Sequence, residues 1–308
     1  MDVTVVGSCM TDLVSYAPRQ PKPGETIHGT NFQIGFGGKG ANQCVMAAKL
    51  GAKTAMVTKV GDDSFGKNYI QNFKDHNINI DHVGVTADAS TGVAPITVSD
   101  DGQNSIVIVA GANMLLSEQD VAAAEHLIMT SKVILCQLEI PVQSTLTALN
   151  IAKKRGVKSI FNPAPAQEGL PSELYSDCDI FCANESEAEI LTGEKVSSIE
   201  DAKAAALTLL NKGCNSVVLT LGELGSVYVS QTEQEPQVVP CPKVIPVDTT
   251  GAGDAFLGAL AYYLALYPKM TVLEALTRSS RLASISVQAK GTQTSFPSRK
   301  QLPSDLFQ

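Results

Sequence analysis

Short apolar runs alternate with helical patterns along most of this chain. Val133 to Cys136 is followed by a helical stretch to Arg155, then by a second run from Val157 to Phe161, and later by Val217 to Leu219. The start, Met1-Asp2-Val3-Thr4-Val5-Val6-Gly7, goes straight into such a run. Strand-length apolar runs between helical segments predict parallel strands buried on both sides beneath helices. Gly156, Gly193 and Gly213 stand where helices should stop, each just before a turn or a strand. The pattern predicts an α/β fold with a central, mostly parallel sheet flanked by helices on both faces. No repeat, charge block or low-complexity linker interrupts it, so residues 1–308 are expected to form a single domain.

Two segments break the pattern, and both alternate like half-exposed strands. From Thr26 to Phe36 the residues Phe32, Ile34 and Phe36 share a face, and the halves of Val93 to Val109 flank Asp100-Asp101-Gly102, a hairpin turn signal. Strands of this kind have no place in a parallel core. They are expected to project as a small β-lid, with lid segments at about 13–36 and 92–110.

Composition narrows the function classes. The 308 residues, 44% hydrophobic with 24 glycines, suffice for one large core. No uninterrupted apolar stretch approaches the roughly 18 residues of a membrane helix, and with the first strand starting at once no signal peptide is expected. A cytoplasmic protein is expected, with the nucleus left open. A net charge of −8 without a basic stripe argues against nucleic acid as a partner and favours small neutral or phosphorylated ligands. Cys9, Cys44, Cys136, Cys178, Cys182, Cys214 and Cys241 are odd in number and dispersed, as reduced core residues would be. Cys178 and Cys182 alone lie close together, with no histidine nearby to complete a zinc site.

The segment from Val247 to Gly258, Val-Asp-Thr-Thr-Gly-Ala-Gly-Asp-Ala-Phe-Leu-Gly, carries the densest chemistry. It ends an apolar run, turns on Gly251 and Gly253 and opens a helix with Asp254 where a capping residue belongs. A cap alone is the structural reading. The glycines support another, because the N–H groups of Gly251, Ala252 and Gly253 can hold an anion at the positive end of the helix dipole. An anion there would repel Asp254 unless it develops during reaction while Asp254 takes up a proton. That arrangement suits transfer of a phosphoryl group onto a hydroxyl.

A second glycine-rich loop runs Gly35-Phe36-Gly37-Gly38-Lys39-Gly40-Ala41-Asn42-Gln43. It matches the dinucleotide fingerprint, but the turn after the first strand is Gly7-Ser8-Cys9 instead, and Lys59 stands near the position of the expected ribose-binding acid. It is no Walker A loop, since Gln33 and Gly40 replace the required glycine and hydroxyl residue. As a sugar site it makes sense: Gly37 and Gly38 bring backbone close while Lys39 and Asn42 offer polar groups to hydroxyls. Asp12, read as following the first strand at its C-terminal end, is the natural carboxylate partner.

The segment Asp248 to Asp254 resembles the C-terminal signature of the ribokinase-like carbohydrate kinases, and Gly35 to Gln43 resembles their N-terminal signature. The two occur in the expected order, with similarity through nearly the whole chain between them. The resemblance implies ATP-dependent phosphorylation of D-ribose at the 5-hydroxyl, with magnesium as divalent cation and potassium as activator. It implies that Asp254 is the base and that Asp12, Gly38, Lys39, Asn42 and Glu139 hold sugar hydroxyls. It places the nucleotide near Asn184, Thr220, Gly222, Gly225 and Gly253. Asn184-x-x-Glu187 is similar to the motif that positions magnesium, here through water. Gly291 to Ser295 resembles part of a potassium loop in which Asp248, Thr250, Ser286, Ala289, Gly291 and Ser295 surround the cation. A homodimer through the β-lid is also implied.

One departure stands out: many bacterial members carry asparagine where this chain has Met10. Related kinases of deoxyribose, fructose or a nucleoside therefore remain open, as does a non-catalytic sugar-binding protein of the same fold. An NAD-dependent oxidoreductase rests on the Gly35 loop alone.

Overall fold

The apolar runs become the buried strands. In the computed structural model, which describes residues 1–308, the chain passes through β1 (Val3–Val6), β2 (Met10–Ala17) and β3 (Asn31–Gly37) into α1 (Lys39–Lys49). It continues through β4 (Thr54–Gly61), α2 (Ser64–Asp75), β5 (Asn79–Thr86), β6 (Gly92–Ser99) and β7 (Asn104–Ile106) to α3 (Glu118–Ala123) and α4 (Glu125–Met129). Next come β8 (Val133–Cys136), α5 (Val142–Arg155), β9 (Lys158–Phe161), α6 (Glu173–Ser176), β10 (Ile180–Asn184), α7 (Glu185–Thr192) and α8 (Ile199–Asn211). The chain closes with β11 (Ser216–Thr220), β12 (Ser226–Ser230), β13 (Gln237–Val239), α9 (Ala252–Leu266) and α10 (Val272–Ser286).

Nine strands form the central sheet in the order β13-β12-β11-β10-β9-β8-β1-β4-β5. Every pair from β11 to β5 is parallel, and only β12 and β13 add antiparallel strands at one edge. β1 and β8 are buried along their whole length, as strands covered on both faces must be. Apolar residues of α1, α2, α9 and α10 fill one core, and those of α3 to α8 fill the other, on the opposite face of the sheet. From β1 the chain goes outward to β4 and β5; from β8 it moves the other way. The order therefore reverses between β1 and β8, which opens a crevice at the carboxyl ends of those strands.

α9 is buried on nearly every side, so its apolar residues show no single stripe. It crosses α1 at Gly258, where a Cβ would stand 2.5 Å from the Gln43 carbonyl oxygen and 2.7 Å from the Met46 Cβ. That close crossing holds the first turn of α9 against the first turn of α1.

A second sheet of four strands, in the order β3-β2-β6-β7, projects from this body. Two details of the sequence reading are corrected here. The first lid strand begins at Met10 rather than after Asp12, because Met10–Ala17 pairs along its full length with β6 and keeps Asp12 inside the lid. The strand expected from Thr26 starts only at Asn31; before it, the Thr30 N–H turns back onto the Tyr16 carbonyl at 2.8 Å. The Asp100 to Gly102 turn forms as read, with Gly102 at φ 82°. Register sets Met10 and Asp12 opposite Gly37 and Gly35 on one lid face, and Ile34 and Phe32 opposite Leu13 and Ser15 on the other.

Candidate active site

The crevice between β1 and β8 is spanned by a hydrogen bond from the Ser8 hydroxyl to Glu139 Oε2 at 2.5 Å, and the Lys39 backbone N–H donates to the same oxygen at 2.8 Å. Glu139 thus ties the ends of both strands to the start of α1. The glycine loop reaches this point because Gly38 adopts φ 87° as the residue before α1, with no room for a Cβ beside the Met10 nitrogen and Cys9. Gly37 is equally constrained, since the Asp12 carboxylate lies directly against its Cα. Backbone and carboxylate therefore converge at one spot, as expected, although Asp12 arrives from the lid strand β2 rather than from the end of β1.

Asp254 lies at the other side of this spot. It is not the cap of α9: Gly251, left-handed at φ 77°, occupies that position and Asp254 falls in the first helical turn. Its side chain points inward, 9% exposed, where Oδ2 accepts from Asn42 Nδ2 at 2.9 Å and Oδ1 from Gln43 Nε2 at 3.0 Å. The Gly251 and Gly253 N–H groups donate to no backbone oxygen, whereas the Ala252 N–H bonds the Thr249 carbonyl at 3.2 Å. Two of the three expected anion-binding N–H groups are thus free.

A cavity of about 170 Å³ opens beside Asp254, lined by Lys39, Asn162, Asn184, Glu187, Thr220, Thr249 and the turn Gly251 to Asp254; Asp12, Gly38, Asn42 and Glu139 do not line it. Carboxylates outnumber cations in the cavity and the adjoining glycine loop, where Asp12, Glu139, Glu187 and Asp254 surround Lys39. Burial, reinforced by Glu139 and Asp254, pushes the Asp12 carboxyl up to about 6. Burial also raises Glu139, although Ser8 and Lys39 oppose it, and raises Glu187, although the Asn184 N–H and Lys39 oppose it. Burial pulls the Lys39 ammonium down, but Asp254, Glu139 and Glu187 outweigh it and hold it above the ordinary lysine value.

Asn184 and Glu187 form a capping box at the start of α7, the Asn184 N–H donating to Glu187 Oε2 at 2.9 Å and the Glu187 N–H to Asn184 Oδ1 at 2.8 Å. The motif caps the helix, and both residues also line the cavity. Thr220 joins the cavity; Gly222 and Gly225 do not. They shape the turn between β11 and β12, where Gly225 is required because a Cβ there would strike the Val239 carbonyl oxygen.

Asp248 accepts from the N–H groups of Thr250 at 3.0 Å and Gly291 at 2.9 Å, and the Val247 and Asp248 N–H groups both bond the Val287 carbonyl. Burial raises the Asp248 carboxyl, but its bonds to Thr250 and Gly291 and the charge of Lys290 hold it below the usual range. Ser286 and Ser295 donate their hydroxyl protons to the Ala283 and Thr292 carbonyls, which leaves each oxygen able to accept or to ligate a cation. Ala289 donates to the Ser286 carbonyl at 3.3 Å. This oxygen-rich set backs directly on the anion turn, since a Cβ on Gly251 would meet Thr292 and Phe296.

Several site residues escaped the sequence reading. Gln43, Gln137, Asn162, Tyr69 and Gln293 are all buried and bonded around Asp254 and Asn42. The available signal was two amides, Asn42 and Gln43, inside the otherwise apolar start of a helix.

A family model described as pfkB family carbohydrate kinase matches residues 1–299. A ribokinase of Mus musculus is 56% identical over 305 residues, covering 99% of this chain and 94% of the relative. A deoxyribokinase of Salmonella typhimurium is 43% identical over 302 residues, covering 98% and 97%. The structure of Arabidopsis thaliana ribokinase complexed with ribose and ATP superposes with a TM-score of 0.90 at 33% identity, covering 99% of this chain and 98% of that one. With both signature loops converging on one crevice and a family match across nearly its whole length, the chain belongs to the pfkB family of carbohydrate kinases.

Proposed function

We propose that the protein transfers the γ-phosphoryl group of ATP to the 5-hydroxyl of D-ribose, giving D-ribose 5-phosphate and ADP. The observation that carries this reading is the placement of the Asp254 carboxylate, between two amide donors, beside the free N–H groups of Gly251 and Gly253. Similarity to the mouse ribokinase and to the Arabidopsis ribokinase with ribose and ATP supports it.

The sugar lies between Asp12 and Glu139, whose oxygens accept from its hydroxyls, with Gly38 and Lys39 at its edge and Asn42 behind Asp254. Asp254 takes the proton of the terminal hydroxyl as that oxygen attacks the γ-phosphorus in line. The bond from phosphorus to the bridging oxygen breaks and ADP leaves. Charge on the transferring group falls on the Gly251 and Gly253 N–H groups and the positive end of α9. Asn184, Thr220 and Gly253 line the nucleotide side. Glu187 keeps one oxygen for a hydrated magnesium, which when bound neutralises phosphate charge. Asp248, Thr250, Ser286, Ala289, Gly291 and Ser295 offer the hard oxygen ligands a potassium ion takes, behind the turn they would stiffen. A homodimer through the outer lid face, where Phe32 and Ile34 are exposed, and a reducing compartment, suited to seven free cysteines, complete the proposal.

Met10 supports a second reading for the sugar. It shares the lid face of Asp12 and is 3% exposed, an apolar group where a hydroxyl partner would otherwise stand. That favours acceptance of 2-deoxyribose beside ribose, in line with similarity to the Salmonella deoxyribokinase. The test is ADP release with magnesium ATP and ribose, 2-deoxyribose, fructose or adenosine, each with potassium or sodium alone. Ribose-dependent release that rises with potassium supports the proposal. A Met10→Asn variant should shift the ribose to deoxyribose ratio of kcat/KM toward ribose by about one neutral hydrogen bond, roughly 0.5–1.5 kcal/mol. No turnover with any sugar would return the protein to the sugar-binding reading.

A further inference from the structure

The buried amides around Asp254 form a chain with a fixed polarity. Gln137 Nε2 donates to Gln43 Oε1 at 2.6 Å, and Gln43 Nε2 donates to Asp254 Oδ1 at 3.0 Å. Both side chains are fully buried. An ionised carboxylate only accepts, so Gln43 must turn its nitrogen toward Asp254 and its oxygen toward Gln137. Gln137 must then present its own nitrogen, which leaves Gln137 Oε1 buried without a partner, against the Cα of Gly7. A buried acceptor left unsatisfied is costly, and such groups are few in folded proteins. The second hydrogen of Gln43 Nε2 points to Asn162 Oδ1 at 3.4 Å, and Asn162 Nδ2 in turn bonds the Cys182 carbonyl, so the Gln43 amide cannot rotate without breaking every contact it makes.

We infer that Gln43 and Gln137 are positioning residues for the phosphoryl transfer: Gln137 orients the Gln43 amide, and Gln43 fixes the Asp254 carboxylate in the rotamer that faces the sugar hydroxyl. The inference rests on the assignment of Asp254 as base. Neither glutamine lines the cavity, so each acts only through its neighbour. The opposite carboxylate oxygen is held by Asn42, itself fixed by Gln293 at 3.0 Å, so loss of Gln43 leaves Asp254 tethered at one oxygen and free to swing about it.

The test compares Gln43→Met, Gln137→Met and the double variant with the wild type, each measured for kcat, sugar KM and thermal midpoint on the sugar the wild type phosphorylates best. Misplacing a catalytic group by a fraction of an ångström should lower kcat about 10- to 100-fold in Gln43→Met, with sugar KM within about twofold. Gln137→Met should lower kcat by less, and the double variant no further than Gln43→Met, because Gln137 works only through Gln43. If Gln43→Met does not fold, Gln137→Met alone carries the test through the same split of kcat from KM. Unchanged kcat in a folded single variant, or additive losses in kcat and KM alike, would overturn the inference while leaving the kinase assignment standing. A wild type inactive on every sugar would overturn the assignment and the inference with it.

Discussion

At the residue scale, the local motifs were legible and their partners were not. Gly251 to Asp254 and Gly37 to Asn42 announce themselves because each packs glycines and polar side chains into one short run, an acid in the first and a lysine and an amide in the second. Gln43, Gln137 and Gln293 could not be read that way, since the bonds that give them meaning span 94 to 251 residues of sequence. Asp254 was placed at the cap position for a related reason: only the left-handed Gly251 reveals that the helix starts earlier. Asp12 yields a pH prediction. Burial first, then the charges of Glu139 and Asp254, bring its carboxyl up to about 6; the nearby cation, Lys39, is held charged by Asp254, Glu139 and Glu187. With Asp12 in its proposed role, where the ionised form accepts two sugar hydroxyls, sugar KM should rise as pH falls below about 6, approaching tenfold per unit, and Asp12→Asn should flatten that dependence. Stability runs the opposite way. A carboxyl raised above its unfolded value of about 4 contributes fully at low pH and loses that contribution as pH rises through about 6. Thermal melts of wild type and Asp12→Asn from pH 4 to 7 check the sign: the variant should gain relative to the wild type as pH rises.

At the element scale, the parallel sheet followed from apolar runs alone, whereas the lid strand Met10–Ala17 did not. Its sequence, Met-Thr-Asp-Leu-Val-Ser-Tyr-Ala, mixes polar and apolar residues, and its partner β6 starts at Gly92, far along the chain. Strand pairing of that range leaves little local trace. The crossing of α1 and α9 is the element-level contact that sets the site. Gly258→Ala would drive a methyl group into the Gln43 carbonyl and Met46, forcing the helices apart where Gln43 and Asn42 meet Asp254. Overpacking of this kind should cost about 1–3 kcal/mol in denaturant unfolding, and kcat should fall with it. Unchanged stability and activity would mean that the crossing tolerates more space than its geometry allows.

At the scale of the whole molecule, the two faces of the lid differ in character. Asp12 and Met10 belong to the face over the crevice, while Phe32 and Ile34, 56% and 60% exposed, belong to the other. The sequence left open whether Phe32 and Ile34 cover substrate or a second subunit; the register favours the second subunit. Sedimentation should find a dimer at micromolar concentration that Ile34→Glu converts to monomer, and a monomeric wild type would rule out this interface. No helix is long and apolar enough to cross a membrane. Sheet, lid and amide network all converge on one carboxylate, so the decisive measurement is turnover of ribose and magnesium ATP by wild type and Asp254→Asn, with sugar binding measured alongside. The Asn side chain must turn an NH₂ group toward the donor of Asn42 or Gln43, so some loss of stability is expected too. Turnover should fall by about 10²–10⁴-fold while ribose still binds. Near-normal turnover in the variant would contradict the role of Asp254 as the base.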